Sequence, residues 1–216
     1  WSSPRLIPVN ETHSHLVLSA IGSLTGIDPD TGQVLWKLEE IAGNSTPTPM
    51  PLGAGKFLIG ATVGRGGNDA GLRPAESNGV VKIKQDDQNW NVEFVWRAEE
   101  ATSSFGSPIV HEDRAFFVNR TGVLFCLDAK TGKELAKARI GGSLWATPFA
   151  IGSRLYLFTK DGLLKIYSAD SDLKQLGERI IFQQPENASE NPFGGKVLYA
   201  AIRLNDGFLV RTGSEL

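Results

Sequence analysis

The chain of 216 residues has one cysteine, one methionine and three histidines, and these scarcities remove whole classes of answer. With Cys126 alone there is no internal disulfide, and its flanks "VLFCLD" place it in an apolar strand rather than at an exposed nucleophilic position. No apolar run approaches the roughly 18 residues that a membrane-spanning helix needs. The chain starts at Trp1 without a signal-like segment, so an upstream portion is expected. Neither sign of charge dominates. Lys and Arg number 22 against 24 Asp and Glu, interspersed for a net charge of -2, which leaves no electrostatic footprint for nucleic acid or an anionic membrane. Reaction signatures are missing too: there is no GxSxG, no HExxH and no Walker loop, so hydrolase and nucleotide readings have no anchor.

What is abundant is glycine, 24 residues of it, and it recurs at the same place in a repeat. Aligned on turn glycines, the segments "GSLTGID" from Gly22, "GVVKIKQ" from Gly79, "GVLFCLD" from Gly122 and "GLLKIYS" from Gly162 share an apolar third column: Leu24, Val81, Leu124 and Leu164. The fifth column holds Gly26, Ile83, Cys126 and Ile166, all small or apolar. Positions two apart share one face of a strand, so the period is that of a half-buried β-strand. Just upstream of each lies a further strand-like run, "HLVLSAI", "KFLIGATV", "RAFFVNR" and "RLYLFTK", joined where the link is short by a turn such as "VNRTG" or "TKDG". Upstream again come "SSPRLIPV", "TPTPMPL", "GSPIV" and "ATPFA", and downstream "QVLWKLEEI", "VEFVWRAEE", "KELAKARI" and "KQLGERII". Each unit thus offers four strands.

Marked by Pro4, Pro49, Pro108, Pro148 and, in the fifth unit, Ala201, the repeat advances by 45, 59, 40 and 53 residues. Four strands in a unit of about 40 residues are the signature of a β-propeller blade. The expected fold is all-β, a propeller of four-stranded antiparallel blades at approximately 1–42, 43–100, 101–141 and 142–184, with an incomplete fifth at 185–216. About four and a half blades make an open, partial ring, expected to come from a parent of six to eight. Its open ends also allow two copies to pair edge to edge.

The turn "IDPDTGQVLW" returns a hundred residues later as "LDAKTGKELA". Asp28 and Asp128 can accept backbone N–H groups in an Asx-type turn, and Gly32 and Gly132 can take the positive φ that closes a bulged hairpin. Trp36 and Trp96 fall on the outermost strand, where an indole can cover the gap to the adjoining blade. This pattern, an apolar residue followed by Asp-x-x-Thr-Gly and a Trp four residues on, resembles the tryptophan-docking repeat of PQQ-like propellers. That family contains quinoprotein alcohol dehydrogenases and the outer-membrane assembly lipoprotein of bacterial envelopes. The resemblance implies a blade-docking role for Asp28, Thr31, Gly32 and Trp36, for Asp128, Thr131 and Gly132, and more loosely for Trp96. Ala136 stands where the second copy would have its ring, and "YSADSDLKQL" has lost both the Thr-Gly and the tryptophan. Quinoprotein dehydrogenases use a vicinal cysteine pair and calcium held against the quinone, and a chain with one cysteine cannot form that pair. No cofactor is therefore expected in this chain, PQQ with calcium entering only under an oxidoreductase alternative.

Two long steps point to function. One contains "GRGGNDAGLRPAESNG" at 64–79, with Arg65, Asn68, Asp69 and Arg73, and the other contains "QQPENASENPFGG" at 183–195, with Glu186, Asn187 and Asn191. In an up-and-down blade both connections emerge at one end, and insertions on one face often mark the binding face. Arg65 and Arg73 could hold an anion within the glycine-rich backbone. His13 and His15 lack a third ligand at metal spacing and are expected on the surface or in a turn, as is His111 in a hairpin. Glu39 with Glu40, and Glu99 with Glu100, are adjacent strand residues facing opposite ways, hence solvated strand ends rather than a catalytic dyad. The leading expectation is a non-enzymatic interaction propeller that presents loops to a protein or peptide partner in an extracytoplasmic setting. The alternatives are part of a quinoprotein-like oxidoreductase and, more weakly, a carbohydrate-binding or hydrolytic propeller.

Overall fold

The computed structural model describes residues 2–42, 46–62, 73–184 and 196–213. Their strands form four antiparallel sheets of four and one of two. The first sheet is β1 (Arg5–Pro8), β2 (Ser14–Ala20), β3 (Ser23–Ile27) and β4 (Val34–Leu38). The second is β5 (Met50–Gly53), β6 (Lys56–Ile59), β7 (Gly79–Asp86) and β8 (Asn89–Arg97). In the third come β9 (Ile109–His111), β10 (Arg114–Val118), β11 (Val123–Asp128) and β12 (Glu134–Arg139), and in the fourth β13 (Phe149–Ile151), β14 (Arg154–Phe158), β15 (Leu163–Ser168) and β16 (Gln175–Ile180). The pair β17 (Leu198–Arg203) and β18 (Phe208–Thr212) begins a fifth. Within each sheet the spatial order follows the chain, as in a propeller blade. One 3-10 turn, Pro74–Ser77, is the sole helical element among the described residues.

Alternation along a strand tells which faces are covered. In β3 only Leu24 and Gly26 are buried, because the other face of the first blade meets no neighbouring blade among the described residues, whereas Leu124, Phe125, Cys126 and Leu127 of β11 are all buried. The third blade is sandwiched. Phe125 and Leu127 pack with Leu58, Val80 and Trp96 of the second blade, and Phe116, Leu124 and Cys126 pack with Leu155, Leu157 and Tyr167 of the fourth. The first and second blades share Ile7, Val17, Leu24, Phe57, Val81 and Ile83, and the fourth and fifth share Phe158, Leu198 and Phe208. Each of these side chains adds about 1.5–3 kcal/mol by leaving water, so the blades are held chiefly by their faces.

The third and fourth strands of all four complete sheets pair with one register shift. Volumes are matched across that pairing. Gly26 faces Trp36, Cys126 faces Ala136 and Ile166 faces Gly177, and a Cβ at Gly26 would lie inside the Trp36 ring. This explains the odd glycine in an otherwise apolar column. In the fourth blade the turn is one residue longer, with Ser168 N–H bonded to the Lys174 carbonyl, and Leu173 instead of a glycine takes the positive φ of 46°.

One histidine departs from expectation. His15 is not at the surface: it lies in β2, 2% exposed, on the same inward face as Val17. Strand alternation buries it, and the Trp36 indole N–H donates to its Nδ1 at 2.9 Å. An indole can only donate, so Nδ1 must be the bare nitrogen and the neutral ring carries its proton on Nε2. The Trp90 ring stands perpendicular to it at 4.4 Å. His13 is exposed as expected, and His111 closes β9, its Nε2 2.7 Å from the Gly152 carbonyl.

Candidate functional site

Up-and-down order fixes which turns share a face. The links from second to third strand, and from each fourth strand to the next first strand, leave at one end of the blades, so the connections across 60–78 and 181–197 arise on the same face. Arg65, Asn68, Asp69, Glu186, Asn187 and Asn191 lie outside the described residues. Arg73 is described and has a local partner. Its guanidinium pairs with Glu76 at 3.2 Å, while its backbone N–H donates to the same carboxylate at 2.7 Å. Behind this turn the fully buried Asn78 accepts the Ala61 N–H and donates to the Pro74 carbonyl, which anchors the end of the long connection.

The residues assigned to blade docking lie at the opposite end and between the sheets. Asp28 accepts the N–H groups of Asp30 and Thr31, and Asp128 those of Lys130 and Thr131 together with the Thr131 hydroxyl. These donors hold both carboxyls below the usual range, the backbone of Thr31 leading for Asp28 and the hydroxyl of Thr131 for Asp128. Gly32 and Gly132 have φ of 74° and 76°. The two indoles act differently. Trp36 packs over its own Gly26 and stacks on Phe57 of the second blade at 6.4 Å, whereas Trp96 lies on Gly132 of the third blade and donates to the Ala129 carbonyl at 3.0 Å.

At the inner rim of the loop-bearing face the sequence reading missed a second connector. Ser3 N–H donates to Thr48 Oγ1 at 3.1 Å, Thr48 N–H to Ser107 Oγ at 2.9 Å, and Ser107 N–H to Thr147 Oγ1 at 3.2 Å. Each link joins one blade to the next around the axis. The signal was present in the sequence as a hydroxyl residue immediately before every marker proline. Beside this belt, Phe105, Trp145 and Tyr199, supplied by three successive blades, form a row with centroids 4.9 and 5.4 Å apart and planes tilted by 61° and 64°. The Arg120 guanidinium sits 6.0 Å from the Phe105 centroid, and Tyr199 at the end of the row is 46% exposed. These rings had not been marked as functional, because nothing in the local pattern shows that separate blades align them.

No group of three or more His, Cys, Asp or Glu among the described residues could hold a metal ion. Cys126 is fully buried in β11, and burial pushes its thiol up to about 11. Glu40 pairs with Arg97 at 2.5 Å and Glu100 with Lys137 at 2.7 Å, as solvated strand ends do.

Comparison with known proteins settles the lineage. The profile of the PQQ-like family described as outer membrane protein assembly factor BamB matches residues 20–176. The chain belongs to that family. Among solved structures, BamB from Moraxella catarrhalis is 14% identical over 95% of this chain and 70% of its own, with a TM-score of 0.49. A europium-containing methanol dehydrogenase is 12% identical over 64% of this chain and 24% of its own, with a TM-score of 0.42. The β-propeller domain of Cps50 (Swd1) from Myceliophteria thermophila is 12% identical over 97% of this chain and 65% of its own, at a TM-score of 0.56. This last likeness shows the fold, a β-propeller. The chain therefore spans less than two thirds of the length of two of these three. No curated protein sequence matches it.

Proposed function

We propose that this propeller is a non-enzymatic scaffold that captures a protein or peptide partner on its loop-bearing face, in a periplasmic or otherwise extracytoplasmic setting. The observation that carries this reading is the row Phe105, Trp145 and Tyr199, which stands on the same face as the long connections. Partly exposed aromatic rings and an arginine beside them are side chains enriched among those that carry binding energy at protein interfaces. Membership of a family described as an assembly factor supports it. No helix among the described residues is long and apolar enough to cross a membrane.

Photo-crosslinking in the native host tests the reading. A photoreactive residue at Tyr199 is expected to give a discrete adduct that deletion of residues 66–72 diminishes, while one at Arg154 on the opposite face gives none. Equal labelling from both faces refutes it. The deletion stops before Arg73 because the Glu76 carbonyl anchors Arg97 and Pro74 anchors Asn78. Adding PQQ with calcium is expected to change neither absorbance nor melting temperature, and a rise in both reinstates the oxidoreductase alternative. Edge-to-edge pairing of copies is a second contact mode, supported by Leu6 and Val34, exposed on one face of the first blade, and by Ile202 and Leu209 on the fifth. Sedimentation at increasing concentration tests it.

A further inference from the structure

The hydroxyl belt does more than connect blades. Thr48, Ser107 and Thr147 each spend a lone pair on the backbone N–H of the preceding blade. Having accepted, each still carries a proton to donate. No acceptor among the described residues takes any of the three. The three residues line one cavity of about 200 Å³ at the axis, together with Pro49, Met50, Pro51 and the side chain of Arg5. Arg5 forms no ion pair among the described residues, and no carboxylate lines the cavity. Three hydroxyls with a proton to donate and one cation therefore line one cavity, and no carboxylate shares it.

We propose that this axial cavity is a carboxylate-binding site, with Arg5 supplying the charge and the hydroxyls of Thr48, Ser107 and Thr147 supplying further hydrogen bonds. A single guanidinium balances a monoanion, which favours a carboxylate over a dianionic phosphate. The walls contributed by Pro49, Met50 and Pro51 suit the methylene stem of a Glu side chain or the alkyl part of a free acid. Resting on the partner-binding reading only for its source, the carboxylate is that of an acidic residue in the captured segment, and the cavity is where that segment anchors.

Calorimetric titration and thermal melting with sodium acetate and succinate, against sodium chloride at equal ionic strength, test the site itself. A saturable rise in melting temperature with the carboxylates and none with chloride is expected. Arg5→Gln should weaken that binding by about tenfold or more, the loss typical of a hydrogen bond to a charged group, with Arg5→Lys retaining part of it. The ligand-free melt should not move, since Arg5 is exposed and has no ion pair among the described residues to lose. Arg154→Gln, on the opposite face, should bind as the parent does. An equal response to chloride, no saturable response, or equal binding by Arg5→Gln overturns the site. A hexapeptide with one central Glu, compared with its Gln counterpart, separates the sources. Preference for Glu that Arg5→Gln abolishes supports a peptide anchor; indifference overturns the peptide source while acetate binding still reports on the cavity. The crosslinking experiment above fails or succeeds independently of either.

Discussion

Gly32 and Gly132 have the same backbone and different surroundings, which makes them a matched pair. Their φ values are 74° and 76°, so alanine at either should cost about 1–2 kcal/mol for the left-handed conformation. A Cβ at Gly32 meets nothing within 4 Å, whereas at Gly132 it would lie 2.5 Å from Cε3 of Trp96. Because that ring is fixed by its bond to the Ala129 carbonyl, it cannot yield without loss, and overpacking adds a further 1–3 kcal/mol, roughly. Urea unfolding at 25 °C should thus give Gly132→Ala a clearly larger destabilisation than Gly32→Ala at unchanged slope. Trp96→Ala alone should cost about 3–5 kcal/mol. In that background Gly132→Ala should fall to the cost of Gly32→Ala, since only the φ strain remains. Equal costs for the two glycines in the parent, or no coupling between Gly132 and Trp96, would refute the claim that the indole docks on the neighbouring turn.

Three further outcomes are expected. Burial first, and the nearby His13 second, lower the pKa of His15 below 6.5. The unfolded chain then takes up the proton more readily, so stability is complete above pH 6.5 and declines as pH falls through the lowered native value. Melting at pH 7.5 and 5 should show this decline, and His15→Asn should remove it. Cys126 should resist a thiol reagent at pH 7.5 in the native protein and react fully in denaturant, since a thiol near 11 is ionised only to the order of 10⁻³ or less. Rapid native labelling would contradict its burial. Ser107→Ala should cost about 1–3 kcal/mol by orphaning the Thr48 N–H, with Ser107→Thr restoring most of it; a neutral Ser107→Ala would mean that the belt link is not a stabilising bond.

The fold was legible in the sequence because each blade writes its period locally. Alternation in "VLFCLD", turn glycines at Gly122 and Gly162, and the spacing of prolines all report on strands within one unit. Partners between units were not legible. Trp96 could be placed on an outer strand, but its target, Gly132, follows 36 residues later in a different sheet, and no local pattern names it. His15 was misjudged from its polar neighbours, although its two-residue spacing from Val17 already put it on the buried face. The axial belt was not legible because each hydroxyl residue beside a marker proline bonds a backbone N–H at least 40 residues away in another blade. Of the residues marked in the two insertions only Arg73 belongs to the described structure, and Glu76 already engages it.

The two kinds of connector differ in how much change they tolerate. The outer one depends on a large ring reaching the next blade, Trp36 on Phe57 and Trp96 on Gly132, and the repeat has lost the ring at Ala136 and Gly177. There the blades are closed instead by ordinary burial, with Tyr167 and Leu157 covering Cys126 and Leu124. The inner connector needs only a hydroxyl, serine or threonine, and it links all four complete blades, including the third to the fourth, where the outer ring is absent. An inner rim held the same way through the four complete blades keeps their spacing around the axis even as the periphery varies. That constancy would suit the proposed binding face, because side chains around the axis keep their spacing while sequence change is absorbed at the outer strands.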